Sequence, residues 1–325
     1  MKIAFYQPHL DIRGTGVAYF DYAYYNEKIL GNKSLMICDK GDSGTHPLIE
    51  KKFKEALTVI ELPGHENMEL LNEVLIREEC DALYIQKKGR KDDGRFTDVV
   101  PTFIHCCGVE FDPHGTVYAY VSEWLSKVCT GGKYPFVLPI VNLPNTDSNM
   151  RQELNIPNNA IVFGRIGGFD TWNIKWVNKV IKKIVKRRDD IYFLFASTPK
   201  FINHPRVIFL DSFADEVKVL FINSCDALLH ARHAGESFGM VVGEFSSRNK
   251  PVITWNGSKE RAHIDTLGDR GIYYSNPRDL YKILMNFKPM PDKDWNCYKA
   301  NRPEIVMKKF KEVFIDKIPQ YESKK

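Results

Sequence analysis

No apolar run in the 325-residue chain approaches the length of a membrane span. The chain opens with Met1-Lys-Ile-Ala-Phe-Tyr6, which enters a strand pattern at once. No signal peptide is therefore expected, and a cytoplasmic protein is. Cysteine is sparse and scattered: seven residues, at 38, 80, 106, 107, 129, 225 and 297, with no Cys-x2-Cys. That excludes a zinc ribbon and a disulfide scaffold and leaves reduced core or loop thiols. No Gly-x-Gly-x-x-Gly follows the first strand, and no acidic residue stands at the end of the second where a dinucleotide ribose would want one, Asp39 being the nearest candidate. A nicotinamide- or flavin-dependent oxidoreductase is disfavoured on both counts. Excess charge is also missing: 46 Lys and Arg against 41 Asp and Glu leave a net +5, which suits anionic ligands without calling for a polymer. The basic run Lys182–Arg188 ends an amphipathic segment and reads as a solvated helix terminus, so no nucleic acid partner is expected. No internal repeat or low-complexity tract appears.

What is present is an alternation of short apolar strands, turns and amphipathic helices. The length suits two domains, each with its own core. Ile3–Gln7 reads as a strand, followed by a glycine-containing loop through Gly14 and Gly16. A helix is expected over 17–30 and a strand over 34–38. Further strands are expected at 57–61, 81–85, 101–105 and 116–121, with a helix near 68–79. Ser122 suits a helix N-cap. The polar loop 86–95 follows a strand, so it belongs on the sheet edge where α/β proteins bind ligands. It reads either as a solvated loop or as a mobile loop preferring anionic acceptors. Residues 145–159 read as a linker with a short helix.

The second half opens on the strand Ala160–Gly164 and Arg165. It continues through a helix over 177–186, strands at 191–196 and 207–210, and a helix over 216–223. It then reaches Ala227-Leu-Leu-His230, Gly235-Glu236-Ser237-Phe238-Gly239-Met240 and, eight residues after the first glutamate, Glu244. Lys250-Pro-Val-Ile-Thr-Trp255 follows. Strand, glycine turn, helix and strand make half of a nucleotide-binding unit, and the free N–H groups at the turn would face an anion. His230 and His233 could ligate a metal, but no third ligand has useful spacing. The last strand is expected at 271–275, and an amphipathic helix at 301–317.

Glu236-x7-Glu244, with Ser-Phe-Gly after the first glutamate and Asn-Lys-Pro-Val-Ile-Thr after the second, resembles the signature of retaining glycosyltransferases of family 4. The wording near the end, Asn256-Gly-Ser-Lys-Glu260 and Ile272-Tyr-Tyr-Ser-Asn-Pro277, resembles enzymes of large DNA viruses and bacteria. The resemblance is sharp over 160–275 and loose over 1–140.

It implies an α/β GT-B fold of two Rossmann-like domains facing each other across a cleft. Residues 1–145 would bind the acceptor and 146–300 the nucleotide sugar. A helix over 301–325 would return to the first domain. The donor diphosphate falls to Arg165, Lys175, Gly16, Ser237, Phe238, Gly239 and Met240. The family usually has a lysine at position 171, where this chain has Thr171; either Lys175 serves in its place or the second cation is absent. Glu244 would take the ribose. Glu236, His105 and Gly239 would take the donor sugar, with Glu236, His105 and Arg165 acting in catalysis. Ser212 and Phe213 would hold the base. The implied activity is transfer from a nucleotide-diphosphate sugar to a glycan, lipid or protein hydroxyl. No cofactor or metal is expected, because fixed cations replace one, and membrane association would be peripheral at most. A sugar-nucleotide epimerase, a phosphorylase and a non-catalytic binding subunit of the same fold are the rival readings.

Overall fold

The apolar strands assemble into two separate parallel sheets in the computed structural model of the chain, which describes residues 1–211 and 215–318. One compact unit comprises Met1–Ile140 together with the chain from Ala300 on; the other is Val141–Lys299.

The first unit begins β1 (Lys2–Tyr6), α1 (Gly14–Lys28), β2 (Lys33–Asp39), α2 (Pro47–Ala56), β3 (Thr58–Leu62), α3 (Met68–Arg77) and β4 (Ala82–Lys87). It continues with β5 (Thr102–Cys106), β6 (Val117–Tyr120) and α4 (Glu123–Thr130), and its sheet order is β3-β2-β1-β4-β5-β6. Strands β1, β2, β4 and β5 are buried almost throughout, which is why they read as unbroken apolar runs instead of alternating patterns. The order reverses direction between β1 and β4, and Tyr19 of α1 closes that point. Its hydroxyl donates to Tyr6 O at 2.8 Å and accepts from Gln86 N at 2.6 Å. Ser122 caps α4 by accepting from Leu125 N at 3.3 Å. Helix α2 was not anticipated. Its signals are local: Pro47 at the first position and His46 Nδ1 accepting from Leu48 N at 3.3 Å.

The second unit runs β7 (Ile161–Arg165), α5 (Trp176–Ile184), β8 (Ile191–Ala196), β9 (Val207–Leu210), α6 (Asp215–Ser224) and β10 (Ala227–His230). It goes on through β11 (Gly235–Glu236), α7 (Met240–Ser247), β12 (Val252–Trp255), β13 (Glu260–Arg261), α8 (Ala262–Leu267), β14 (Ile272–Tyr274) and α9 (Pro277–Asn286). The sheet order is β14-β12-β10-β7-β8-β9, again with a reversal, here between β7 and β10. Its core packs α5 and α9 on the sheet through Val177, Ile181, Ile184, Leu280 and Leu284. The helix expected within 145–159 does not form; residues 151–155 are a run of turns. Arg151 ties them to the sheet, reaching Ser224 O at 3.0 Å and Asp226 at 2.9 Å.

The last helix, α10 (Pro303–Val313), packs within the first unit. Asn301 Nδ2 donates to Pro139 O at 2.8 Å, and the Phe310 ring lies 5.3 Å from that of Tyr22. Among the described residues no helix is long and apolar enough to cross a membrane. All seven cysteines are free.

Candidate active site

The C-terminal ends of β7, β10 and β12 bring together most of the residues singled out in the second unit. Chain direction explains this. In a parallel sheet every strand delivers its last residue, and the loop after it, to the same edge.

Strand β10 ends in His230, which turns into the short strand β11. Glu236 lies there with a side chain about one-fifth exposed, open enough for a hydroxyl to reach it. Its Oε1 accepts from His230 Nε2 at 3.0 Å and its Oε2 from Arg232 Nη1 at 2.7 Å. Burial is the largest single influence and pushes the carboxyl pKa up. The hydrogen bond from His230 and the electrostatic influence of His230, Arg232 and His263 together outweigh it and hold the pKa at about 2. Glu236 is therefore an ionised, oriented acceptor near neutral pH.

Gly239 has φ +94° and caps α7. A Cβ there would sit 3.1 Å from His263 Cβ and 3.4 Å from Glu236 Cβ, so both its conformation and its surroundings call for glycine. The turn presents the first N–H groups of α7, which have no intrahelical acceptor, as a seat for an anion. Ser237 and Met240 flank it half-buried, and Phe238 is buried edge-to-face against Tyr298 at 5.7 Å.

Arg165 ends β7 and is 4% exposed. Its Nη1 donates to Ser197 O at 2.8 Å, Ala196 O at 3.1 Å and Thr198 Oγ1. Its Nη2 donates to Gly168 O at 2.7 Å and Thr171 Oγ1 at 2.6 Å. The guanidinium thus ties the loop after β7 to the loop after β8, and burial brings its pKa down to about 10. Thr171, at the position where the resemblance implies a lysine, is one of these acceptors. Lys175 is exposed at the N-terminus of α5.

Glu244 is buried on α7 and forms an ion pair at 2.7 Å with Lys218 of α6. Lys218 went unnoticed in the sequence. So did Thr254 and His263, which join the Glu236 cluster from β12 and α8: His230 Nδ1 lies 2.9 Å from Thr254 Oγ1, which lies 3.2 Å from His263 Nε2. Arg232 left a legible signal, since it precedes Glu236 by four residues. His233 is exposed and does not join His230 in a group able to hold a metal. Ser212 and Phe213 lie outside the described residues.

In the first unit, Gly16 is buried in α1, where a Cβ would fall 2.1 Å from Asp11 O. That close approach admits only glycine. His105 is a core residue with 0% exposure. Its Nε2 donates to Tyr120 O at 3.1 Å and Val137 O at 3.0 Å, and its Nδ1 accepts from Tyr84 Oη at 2.6 Å. Carbonyls only accept, so the tautomer is dictated. Burial lowers the pKa to about 4, and the ring is neutral. Both nitrogens are spent on protein partners.

Three of the cations at the end of β4 and in the loop after it are held in ion pairs. Lys87 pairs with Asp93, Arg90 with Glu110 at 3.1 Å, and Arg95 with Asp93 at 3.3 Å and Glu66 at 3.6 Å. Among the described residues one group of metal-capable side chains converges, Asp39, Asp42 and His65 in the first unit. Asp39 already accepts from Glu66 N at 2.8 Å and lies 3.1 Å from Tyr6 Oη. An Asp-x-Asp pair occurs at Asp292 and Asp294. Asp294 is bound to Lys299 at 2.7 Å and Arg270 at 3.2 Å.

No family model and no curated protein matches the sequence. Solved structures do match the fold. A glycosyltransferase from Rickettsia africae superposes with a TM-score of 0.72 at 15% identity, covering 97% of this chain and 98% of that one. Anabaena HepE in complex with UDP and glucose gives 0.68 at 14%, covering 96% and 98%. A Listeria monocytogenes protein assigned as a UDP-N-acetylglucosamine 2-epimerase gives 0.63 at 13%, covering 98% of each. At such identities the likeness speaks for architecture alone: this chain, with its two six-stranded parallel sheets, has the GT-B fold.

Proposed function

We propose that the protein is a retaining glycosyltransferase of the family 4 type, moving a sugar from a nucleotide diphosphate to an acceptor hydroxyl. The observation that carries this reading is the pairing of an ionised, partly exposed Glu236 with the glycine turn that opens α7. A carboxylate for sugar hydroxyls beside an anion seat for a diphosphate is what a nucleotide sugar requires. HepE, of the same fold, is seen with UDP and glucose.

In this reading the N–H groups after Gly239 take the diphosphate, with Ser237 and Met240 beside them. Arg165 supplies fixed positive charge and frames the loop, and Lys175 adds a cation at the start of α5. Glu236 and Gly239 take the donor sugar. Glu244 takes the ribose while sharing its carboxylate with Lys218. Ser212 and Phe213 keep their proposed place at the base. The acceptor, a glycan, lipid or protein, belongs to the first unit near Gly16. His105 supports that unit from its core. The sugar–phosphate bond breaks as the acceptor oxygen bonds to the same face of the anomeric carbon. The acceptor proton passes to the departing diphosphate, whose growing charge the cations and helix N–H groups stabilise. These groups do the work of a metal ion, so activity should survive chelation. The protein works in the cytoplasm, touching membranes at most peripherally.

The test is a thermal-shift screen against UDP-, GDP-, ADP- and dTDP-sugars, followed by turnover with the hit, since a specific ligand raises the melting temperature by mass action. Glu236→Gln should abolish transfer in a folded protein; full turnover in that variant sinks the assignment. The epimerase reading is kept by the Listeria protein of the same fold. It predicts donor isomerisation with no acceptor present.

A further inference from the structure

Behind Glu236 runs a buried chain of side chains from three elements. Strands β10 and β12 pair in a register that sets His230 opposite Thr254. Their side chains meet at 2.9 Å, and Thr254 Oγ1 reaches His263 Nε2 of α8 at 3.2 Å. Thr254 and His263 have no exposed surface and His230 is 9% exposed. The two imidazole rings lie 5.0 Å apart.

We propose that Thr254 and His263 are positioning residues for sugar transfer, forming with His230 a one-way hydrogen-bond chain that holds Glu236 as an oriented carboxylate. The proposal rests on Glu236 being the donor-sugar carboxylate.

The direction follows from counting protons. An ionised carboxylate only accepts, so His230 Nε2 carries hydrogen. If His230 Nδ1 is bare, it accepts the single hydroxyl proton of Thr254. Thr254 oxygen, its proton spent, accepts from His263 Nε2–H. His263 is left with a bare Nδ1, and that atom is buried with no hydrogen-bond partner among the described residues. The reverse order would bury an unpaired N–H there, and orphaned donors are rarer in folded proteins than under-satisfied acceptors. The far end of the chain therefore leaves His230 Nδ1 bare and enforces the tautomer that the carboxylate demands at the near end. His263 also lies against Gly239, whose Cβ would stand 3.1 Å from its own, so the same residue backs both the carboxylate and the turn.

Thr254→Val keeps the shape and removes both links. We expect kcat to fall on the order of 10- to 100-fold, as for a reacting group misplaced by a fraction of an ångström, with nucleotide Kd unchanged. Thr254→Ser should restore kcat. His263→Leu breaks the far link and should reproduce the loss. Long-range proton–nitrogen NMR of the native protein should show the Nε2–H tautomer in both His230 and His263. Native kcat in Thr254→Val, or an Nδ1–H tautomer of His263 in the native protein, overturns the proposal, as does failure of serine to restore kcat. Glu236→Gln is assayed in parallel. If it turns over normally, the underlying reading fails and takes the proposal with it. If it is inactive while Thr254→Val is fully active, only the proposal fails.

Discussion

Lys218 Nζ lies 2.7 Å from Glu244 Oε1, with both side chains at most one-tenth exposed. Removing one partner of a buried ion pair leaves the other charge uncompensated, at about 3–5 kcal/mol. Lys218→Met should therefore lower stability by an amount of that order in chemical denaturation. Lys218→Met/Glu244→Leu should recover most of it. Glu244→Gln should also weaken nucleotide binding, read by calorimetry, and an unchanged Kd removes the ribose role.

Arg165 donates to acceptors on two loops, so its loss has two signatures. Arg165→Ala strands several buried carbonyls, each worth about 1–3 kcal/mol when unpaired, and should lower the melting temperature markedly. Arg165→Lys restores charge but not the planar fork. If the main role is framing the loops, lysine should recover little of the lost stability. Transfer activity should fall in both variants, and full activity in Arg165→Ala would remove Arg165 from the site.

Acid should destabilise the protein from about pH 6.5 downward, in the direction of the lowered pKa values. His105 and His263 are buried neutral, with pKa values brought down from 6.5 to about 4 and about 3 by desolvation. Between those values and 6.5 the unfolded chain binds more protons than the native one, so stability rises with pH across that window and is lost as pH falls. Each such proton contributes a slope of about 1.4 kcal/mol per pH unit. Glu236, held at about 2, adds to the loss below its ordinary value of 4.5. Denaturant titrations at several pH values read the slope. His263→Leu should flatten it; a slope equal to that of the native protein would mean that His263 is not buried neutral.

His105 is tied to Tyr84, Tyr120 and Val137 and ringed by Tyr22 and Phe314, at 5.6 and 5.4 Å between ring centres. His105→Ala should cost stability on the order of a large-to-small core substitution, roughly 2–5 kcal/mol. His105→Gln, which can still donate to a carbonyl, should cost less and keep kcat near native. A kcat collapse in a stable His105→Gln protein would put the imidazole back into catalysis.

Strand identity was legible because it rests on local runs of apolar residues. β1, β4, β5, β7, β8 and β10 all stand where the apolar stretches are. The seat of Glu236 in a glycine turn before a helix was legible for the same reason, since Gly235, Gly239 and the apolar face of α7 are neighbours in the chain. Helices α2, α8 and α9 were missed. α8 has only six residues, too few for a helical period to show, and α2 and α9 are marked mainly by a proline at the first turn. For the loop 86–95, read as solvated or as preferring anionic acceptors, the sequence shows the cations but not two of their partners: Glu110 and Glu66 come from other loops to Arg90 and Arg95.

By itself the sequence determined which segments are strands, where glycine must bend the chain, and which carboxylate stands at the opening of α7. These are decided by residues within one or two turns of each other. Only the tertiary structure decided what surrounds each charge. Lys218 reaches Glu244 across 26 positions and Thr254 reaches His230 across 24. The closing of the parallel sheet, not spacing along the chain, makes them neighbours. His105 shows the same division. Its place at a strand end is a matter of sequence, but its burial is set by Tyr22, Tyr84 and a phenylalanine of the C-terminal segment packing onto it, and burial is what makes its imidazole neutral.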